Sequence, residues 1–165
     1  MIDADTNTKL AVASLIFQDI KNDRIKDINF DISAMTKLNG NTGIYLNYTL
    51  VRLQTLHAKL ITTTKIDKLK EKDLTNFNQI EHRLIIRLSL FPLILIQSYH
   101  HLKPHLIAQY TLEIVSDINN RYSTSEKMVD IDPITQKSKA LYIQALITGL
   151  SNLMHILHLP QVDRM

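Results

Sequence analysis

The chain has 165 residues, of which 45% are hydrophobic and 21% charged, a composition that fits one folded globular domain and excludes a disordered chain. Three glycines and four prolines are too few for the turns of an all-β sandwich, and the absence of cysteine excludes disulfides and thiolate metal sites. The formal net charge of +3 tolerates an anionic partner without requiring one.

The first predicted element is a helix over residues 8–21, because apolar side chains such as Leu10, Ala13 and Phe17 recur at helical spacing. Asp5, Thr6 and Asn7 are candidate caps for it. Residues 22–39 lose this periodicity and predict an extended connector. The Gly-Asn-Thr-Gly sequence at 40–43 then predicts a turn in which Thr42 or Asn41 caps the next helix.

The helix after this turn has two distinct faces. Its apolar stripe consists of Leu46, Leu50, Leu53 and Leu60. A second, polar and aromatic face carries Tyr45, Tyr48, Arg52 and Thr55. Residues 62–73 read as a linker. The lysines between Lys59 and Lys72 are interrupted by acidic residues, which favours a solvated face over a track for phosphates.

The second half of the chain predicts further helices separated by prolines. One helix is expected over residues 74–90, and Pro92 can begin the next. Pro104 precedes a helix that ends near Tyr122, and the last helix covers residues 135–157. The predicted fold class is therefore all-α, a bundle of five or six helices.

The residue pattern predicts neither a catalytic site nor a metal or cofactor site. The 40–43 turn lacks the lysine and the spacing of a phosphate-binding loop. The pairs His101/His105 and His155/His158 have helical spacing, but a metal site needs three or four converging ligands, and Pro104 interrupts the first pair. The longest apolar run, residues 90–96, is too short for a membrane span. We expect a cytoplasmic protein, with an organelle left open.

Several motifs in order resemble the anticodon-binding helical domain of arginyl-tRNA synthetases. In that family a Phe-Asp pair precedes a Gly-x-Thr turn, Tyr-Leu-Gln-Tyr and an arginine. Here these correspond to Phe30-Asp31, the 40–43 turn, Tyr45-Leu46-Asn47-Tyr48 and Arg52. Asn47 stands where glutamine is usual.

The resemblance continues to the end of the chain, with two departures. Phe91-Pro92, Lys103-Pro104-His105 and the terminal run 160–165, ending in Met165, are similar to the family's later motifs. Arg121 replaces the first residue of an aromatic pair that ends a helix, and Lys139 replaces the hallmark arginine of the last helix. A terminal methionine is usual in the family, so we expect a natural end at Met165.

The resemblance implies a fold and a partner. It divides the chain into residues 1–38, the end of a catalytic domain with a connector helix, and residues 39–165, the anticodon-binding domain. It implies binding to the anticodon stem-loop of arginine tRNA. The implied tRNA-binding residues are Tyr45, Asn47, Tyr48, Arg52, Tyr122, Lys139 and Met165. Tyr122 and Met165 would contact bases, since both lie off the predicted core stripe.

Alternatives remain for these residues and for the protein. Tyr45 and Tyr48 could pack between domains, Arg52 could brace the turn, and Lys139 could be a surface charge. Both ATP-binding signatures of the family are missing, so this chain alone is not expected to be an enzyme. It could be part of a synthetase with its catalytic domain or subunit elsewhere, a free-standing tRNA adaptor, or a structural protein of an RNA–protein assembly.

Overall fold

A computed structural model of the chain describes residues 3–64, 77–123 and 132–165. These ranges contain seven helices and no strand, which confirms the all-α prediction. The helices are α1 (Ala4–Ile20), α2 (Ile32–Met35), α3 (Gly43–Thr64), α4 (Gln79–Ser89), α5 (Phe91–His101), α6 (His105–Ser123) and α7 (Pro133–Ile156). The additional element is α2, a single turn within the segment predicted as an extended connector.

Side-chain caps fix the starts of α1 and α4, and both starts differ from the prediction. Asp3 caps α1, accepting from the backbone N–H of Thr6, so this helix begins four residues before the predicted Thr8. In α4 the Asn78 side chain accepts from the N–H of Glu81, whose carboxylate accepts from the N–H of Asn78. This capping box begins α4 at Gln79 rather than at the predicted Leu74.

The core lies around α3, which packs against α1, α6 and α7. The predicted stripe on α3, from Leu46 to Leu60, is completely buried. The start of α3 approaches α1 very closely, because a Cβ atom on Gly43 would lie 2.3 Å from the carbonyl oxygen of Ala13. Only glycine permits this contact, so the second glycine of the 40–43 turn is required where the two helices meet.

Helices α4 and α5 pack on α6 at the other side of the molecule. Arg87 of α4 forms ion pairs with Glu113 and, at 2.9 Å, with Asp117 of α6. Pro92 lies in the first turn of α5, as predicted. Of the predicted 62–73 linker, residues 62–64 belong to α3 and the remainder lies outside the described ranges. No helix in these ranges has the length and hydropathy that crossing a membrane requires.

Candidate nucleic-acid interface

Four of the seven predicted tRNA-binding residues lie around one pocket of about 530 Å³. Tyr48 and Arg52 are one helical turn apart on α3, Tyr122 comes from the end of α6, and Met165 comes from the end of the chain. The full lining is Leu38, Tyr48, Val51, Arg52, Thr55, Leu56, Lys59, Tyr122 and Met165. Residues distant in sequence therefore form one concave surface, whose described lining contains two cationic side chains and no acidic one.

Arg52 and Tyr122 are held against each other at the centre of this pocket. The guanidinium carbon of Arg52 lies 4.0 Å from the centroid of the Tyr122 ring. The Tyr122 hydroxyl donates to the backbone carbonyl of Arg52 at 3.3 Å, and Arg52 Nη1 donates to Asn119 Oδ1 at 3.4 Å. Asn119 in turn donates to the hydroxyl of Thr49 at 2.8 Å. The aromatic ring and the planar cation are thus oriented by hydrogen bonds from two helices.

Tyr122 is more buried than the sequence predicts. We expected it to lie off the core, but its ring is half-buried and packs against the hydrophobic core. Burial raises the pKa of the Tyr122 phenol well above its usual range, and the neighbouring Arg52 opposes that shift only in part. The hydroxyl therefore remains neutral at physiological pH and keeps the proton that it donates to the Arg52 carbonyl.

Tyr48 is the more accessible aromatic residue of the pocket, with 38% of its surface exposed. Tyr45, one turn earlier on α3, is half-buried, packs against the core and does not line the pocket. The backbone N–H of Tyr45 donates to the Thr42 hydroxyl at 3.0 Å, so Thr42 is the cap that the turn predicts. Of the two tyrosines of the motif, Tyr45 therefore packs against the core and Tyr48 lines the pocket.

Asn47 is a completely buried residue of α3, and its side-chain amide hydrogen-bonds other groups of the protein. Its Nδ2 donates to the carbonyls of Gly43 at 3.2 Å and Pro160 at 3.1 Å. Its Oδ1 accepts from the N–H of Val162 at 3.0 Å. In this conformation Asn47 binds the chain segment that follows α7, and its side chain is not available to a ligand in solvent.

Lys139 is also buried, so the alternative that it is a surface charge is wrong. Its ammonium group contacts one oxygen of the buried Glu81 carboxylate, and Arg121 contacts the other at 3.2 Å. Arg121 and Lys139, two of the positions that depart from the family motif, therefore bind the same carboxylate. Glu81 also closes the capping box of α4, so this group of charges joins α4, α6 and α7.

Lys59 is a pocket residue that the sequence analysis missed. It was assigned with the later lysines to a solvated face, yet it lines the pocket together with Thr55. The signal was present in the spacing, since positions 48, 52, 55 and 59 fall on one face of a helix. The predicted histidine pairs give no metal site, as no group of three or more possible metal ligands occurs within the described ranges.

Comparison with known proteins relates most of the chain to one family. Residues 46–165 match the DALR anticodon binding domain. The chain is 29% identical over 156 residues to the arginine–tRNA ligase of Fusobacterium nucleatum, covering 94% of this chain and 27% of that protein. It is 27% identical over 124 residues to the arginine–tRNA ligase of Latilactobacillus sakei, covering 75% of this chain and 21% of that protein.

Solved structures share the fold. The arginyl-tRNA synthetase of Thermus thermophilus matches 98% of the chain with a TM-score of 0.85 at 21% identity, and the chain covers 27% of it. The Plasmodium falciparum arginyl-tRNA synthetase matches with a TM-score of 0.84 at 20% identity, and the chain covers 29% of it. The chain thus spans about a quarter of the length of the proteins it resembles. With a family match over most of its residues, the chain belongs to the DALR anticodon binding domain family.

Proposed function

We propose that this chain is the part of an arginyl-tRNA synthetase that binds the anticodon stem-loop of arginine tRNA. The observation that carries the proposal is the convergence of Tyr48, Arg52, Tyr122 and Met165 on one pocket. The bases of an RNA loop are recognised by stacking on aromatic rings or guanidinium planes, with cations binding the phosphates. The pocket offers all of these groups on a helical support.

The seven predicted residues, together with Lys59, divide into two groups in this proposal. Tyr48, Tyr122 and Met165 contact bases, and Arg52 and Lys59 provide positive charge at the pocket. Tyr45, Asn47 and Lys139 support the site from within the protein, because none of them is among the residues that line the pocket. In this assignment, one set of residues contacts the RNA and the other set supports the pocket from within the protein.

The remainder of the enzyme belongs elsewhere in this proposal. The chain covers 27% of the Fusobacterium nucleatum ligase, and the ATP-binding signatures are absent from it. Aminoacylation would therefore be carried out by a separate catalytic domain or subunit, in the cytoplasm or in an organelle with its own protein synthesis. The departures at Arg121 and Lys139 do not favour an adaptor or a structural role, since both residues are explained by their contacts with Glu81.

The test is filter binding at fixed salt, comparing arginine tRNA with the same tRNA altered only in the anticodon. Because a base–aromatic stack is worth on the order of 1–3 kcal/mol, Tyr122→Ala should weaken binding to arginine tRNA by roughly five- to a hundredfold. Tyr122→Phe keeps the ring and should bind within about threefold of the unaltered protein, with a hydrogen bond to Arg52 lost at a small cost in stability.

The matched control is Tyr99→Ala, which removes a tyrosine with 76% of its surface exposed on α5, outside the pocket. Its affinity should be unchanged. All variants are compared at a temperature where circular dichroism shows them folded, because Tyr122 is half-buried and its truncation also lowers stability. Equal affinity for both tRNAs, together with equal affinity of the Tyr122 and Tyr99 alanine variants, would reject the anticodon function.

A further inference from the structure

The chain after α7 returns to the start of α3 without forming a helix. Leu157, Leu159 and Val162 are buried along this path, and the run ends at the pocket with Met165. We call residues 157–165 the tail. Since a segment without secondary structure loses much conformational entropy when it is ordered, its position has to be fixed by specific contacts.

One side chain of α3 forms two hydrogen bonds with the middle of the tail, and we call this contact the clamp. Asn47 donates to the carbonyl of Pro160 and accepts from the N–H of Val162, at 3.1 and 3.0 Å. The bonds span more than a hundred positions in sequence, and the Asn47 side chain is completely buried. A buried amide satisfied on both sides defines a single geometry, because any shift of the tail leaves a polar group unpaired.

Two further contacts fix the tail, one at Gln161 between the two residues that Asn47 binds and one at Arg164 beyond them. Ser151 donates to the Gln161 side chain at 2.8 Å, and Gln161 donates back to the Ser151 carbonyl at 2.9 Å. Beyond Val162, Arg164 donates to the carboxylate of Asp3 at 2.6 Å. Neither contact involves α3. Asn47 therefore connects the tail by hydrogen bonds to the helix that carries Tyr48 and Arg52.

We propose that Asn47 is a positioning residue for the RNA site, which sets the place of Met165 in the pocket and has no contact with RNA itself. This inference rests on the proposed function. On α3 the adjacent residues Asn47 and Tyr48 point to opposite surroundings, one into the buried contact with the tail and the other into the pocket. The helix thus contributes to the site in two ways. Tyr48 lines the pocket directly, and Asn47 holds the tail that brings Met165 to the pocket.

The first experiment is a double-mutant cycle on RNA affinity. Asn47→Leu keeps a similar volume and removes the amide, and Met165→Gly removes the side chain that the tail delivers. Each single change should weaken binding to arginine tRNA by roughly three- to thirtyfold, the range expected for one lost stacking or hydrogen-bonded contact. In the Met165→Gly background, Asn47→Leu should cost less than about twofold more.

Asn47→Gln keeps an amide at this position and should recover most of the affinity lost in Asn47→Leu. The positioning role would be overturned if the losses of affinity in the two single variants multiplied in the double variant. It would also be overturned if Asn47→Gln bound the tRNA no better than Asn47→Leu. If Asn47→Leu fails to fold, Val162→Pro takes its place. It removes the backbone N–H that donates to Asn47 Oδ1 and leaves α3 unchanged. That variant should show the same non-additivity with Met165→Gly, and additive losses would again overturn the inference.

The second experiment needs no RNA. Hydrogen exchange of the Val162 amide should become at least about tenfold faster in Asn47→Leu, while the amide of Leu50 in the core of α3 keeps its protection. Equal loss of protection at both amides would show a general structural defect and reject a role specific to the tail.

The two proposals fail differently. Weaker binding of Tyr122→Ala with unchanged binding of Asn47→Leu would overturn this inference and leave the anticodon function standing. Unchanged binding in all three variants, Tyr122→Ala, Asn47→Leu and Met165→Gly, would reject both.

Discussion

At the scale of single residues, the buried carboxylate of Glu81 explains two positions that a motif comparison leaves unexplained. Its two oxygens contact Arg121 and Lys139, and it accepts the N–H of Asn78 as well. A buried charge is tolerated only when it is paired and hydrogen-bonded, and this one is both. The three charged side chains therefore act as one unit that joins α4, α6 and α7.

This unit gives a prediction for Lys139. Lys139→Met should lower the free energy of unfolding by roughly 1–3 kcal/mol, because Glu81 keeps Arg121 but loses one of its buried cations. Lys139→Arg preserves the charge and should cost less. Urea denaturation measures both, and filter binding at a temperature where both are folded should show unchanged affinity for arginine tRNA. A loss of affinity with unchanged stability would instead make Lys139 a direct RNA contact.

At the scale of elements, the approach of α1 to α3 depends on the missing side chain of Gly43. An added Cβ would lie 2.3 Å from the backbone oxygen of Ala13, and backbone cannot move aside as a side chain can. Gly149 of α7 offers a contrast, since its Cβ would meet the end of the flexible Leu88 side chain at 2.7 Å. The two helical glycines are therefore not equivalent.

We predict that Gly43→Ala lowers the free energy of unfolding by more than about 2 kcal/mol, since α1 must separate from α3. Gly149→Ala should change it by less than about 1 kcal/mol, because the gain of alanine over glycine in a helix offsets the displacement of Leu88. Urea denaturation of the two variants side by side is the measurement. Equal destabilisation would contradict the close contact described for Gly43.

The sequence predicted the elements better than it predicted their contacts. Helical spacing is a local property, so the buried stripe from Leu46 to Leu60 follows from it. The start of α4 was placed too early, because the apolar positions of that helix do not mark its first residue, whereas the Asn78 and Glu81 capping box does. In the pocket, Tyr48 and Arg52 follow from one helical face. Tyr122 and Met165 came only from family resemblance, since no local pattern places α6 and the tail beside α3.

At the scale of the whole molecule, the two ends of the described chain are joined by Asp3 and Arg164. The guanidinium of Arg164 and the N–H of Thr6 both hydrogen-bond the Asp3 carboxylate, and together they hold its pKa well below its usual value of 3.8. A carboxyl group whose pKa is lowered on folding contributes stability above its unfolded pKa. That contribution is lost as the pH falls through the folded value.

Carbon-detected NMR titration should therefore place the Asp3 midpoint below 3.8 in the folded protein. In Arg164→Gln the midpoint should rise but stay below this value, because the Thr6 N–H cap remains. Both groups lie at the surface, so we expect little change in overall stability at neutral pH. An unchanged midpoint in Arg164→Gln would show that the pair does not persist in solution.

The long return of the tail has a consequence for the order of folding. The clamp joins residue 47 to residues 160 and 162, so the place of Met165 in the pocket depends on contacts between distant parts of the chain. Closing loops of such length is slow and becomes favourable only when the surfaces at both ends already exist. The tail can be placed only after α3 and α7 have packed together. Met165 should therefore enter the pocket among the last events of folding, and ligand binding would report the fully assembled molecule rather than a helical intermediate.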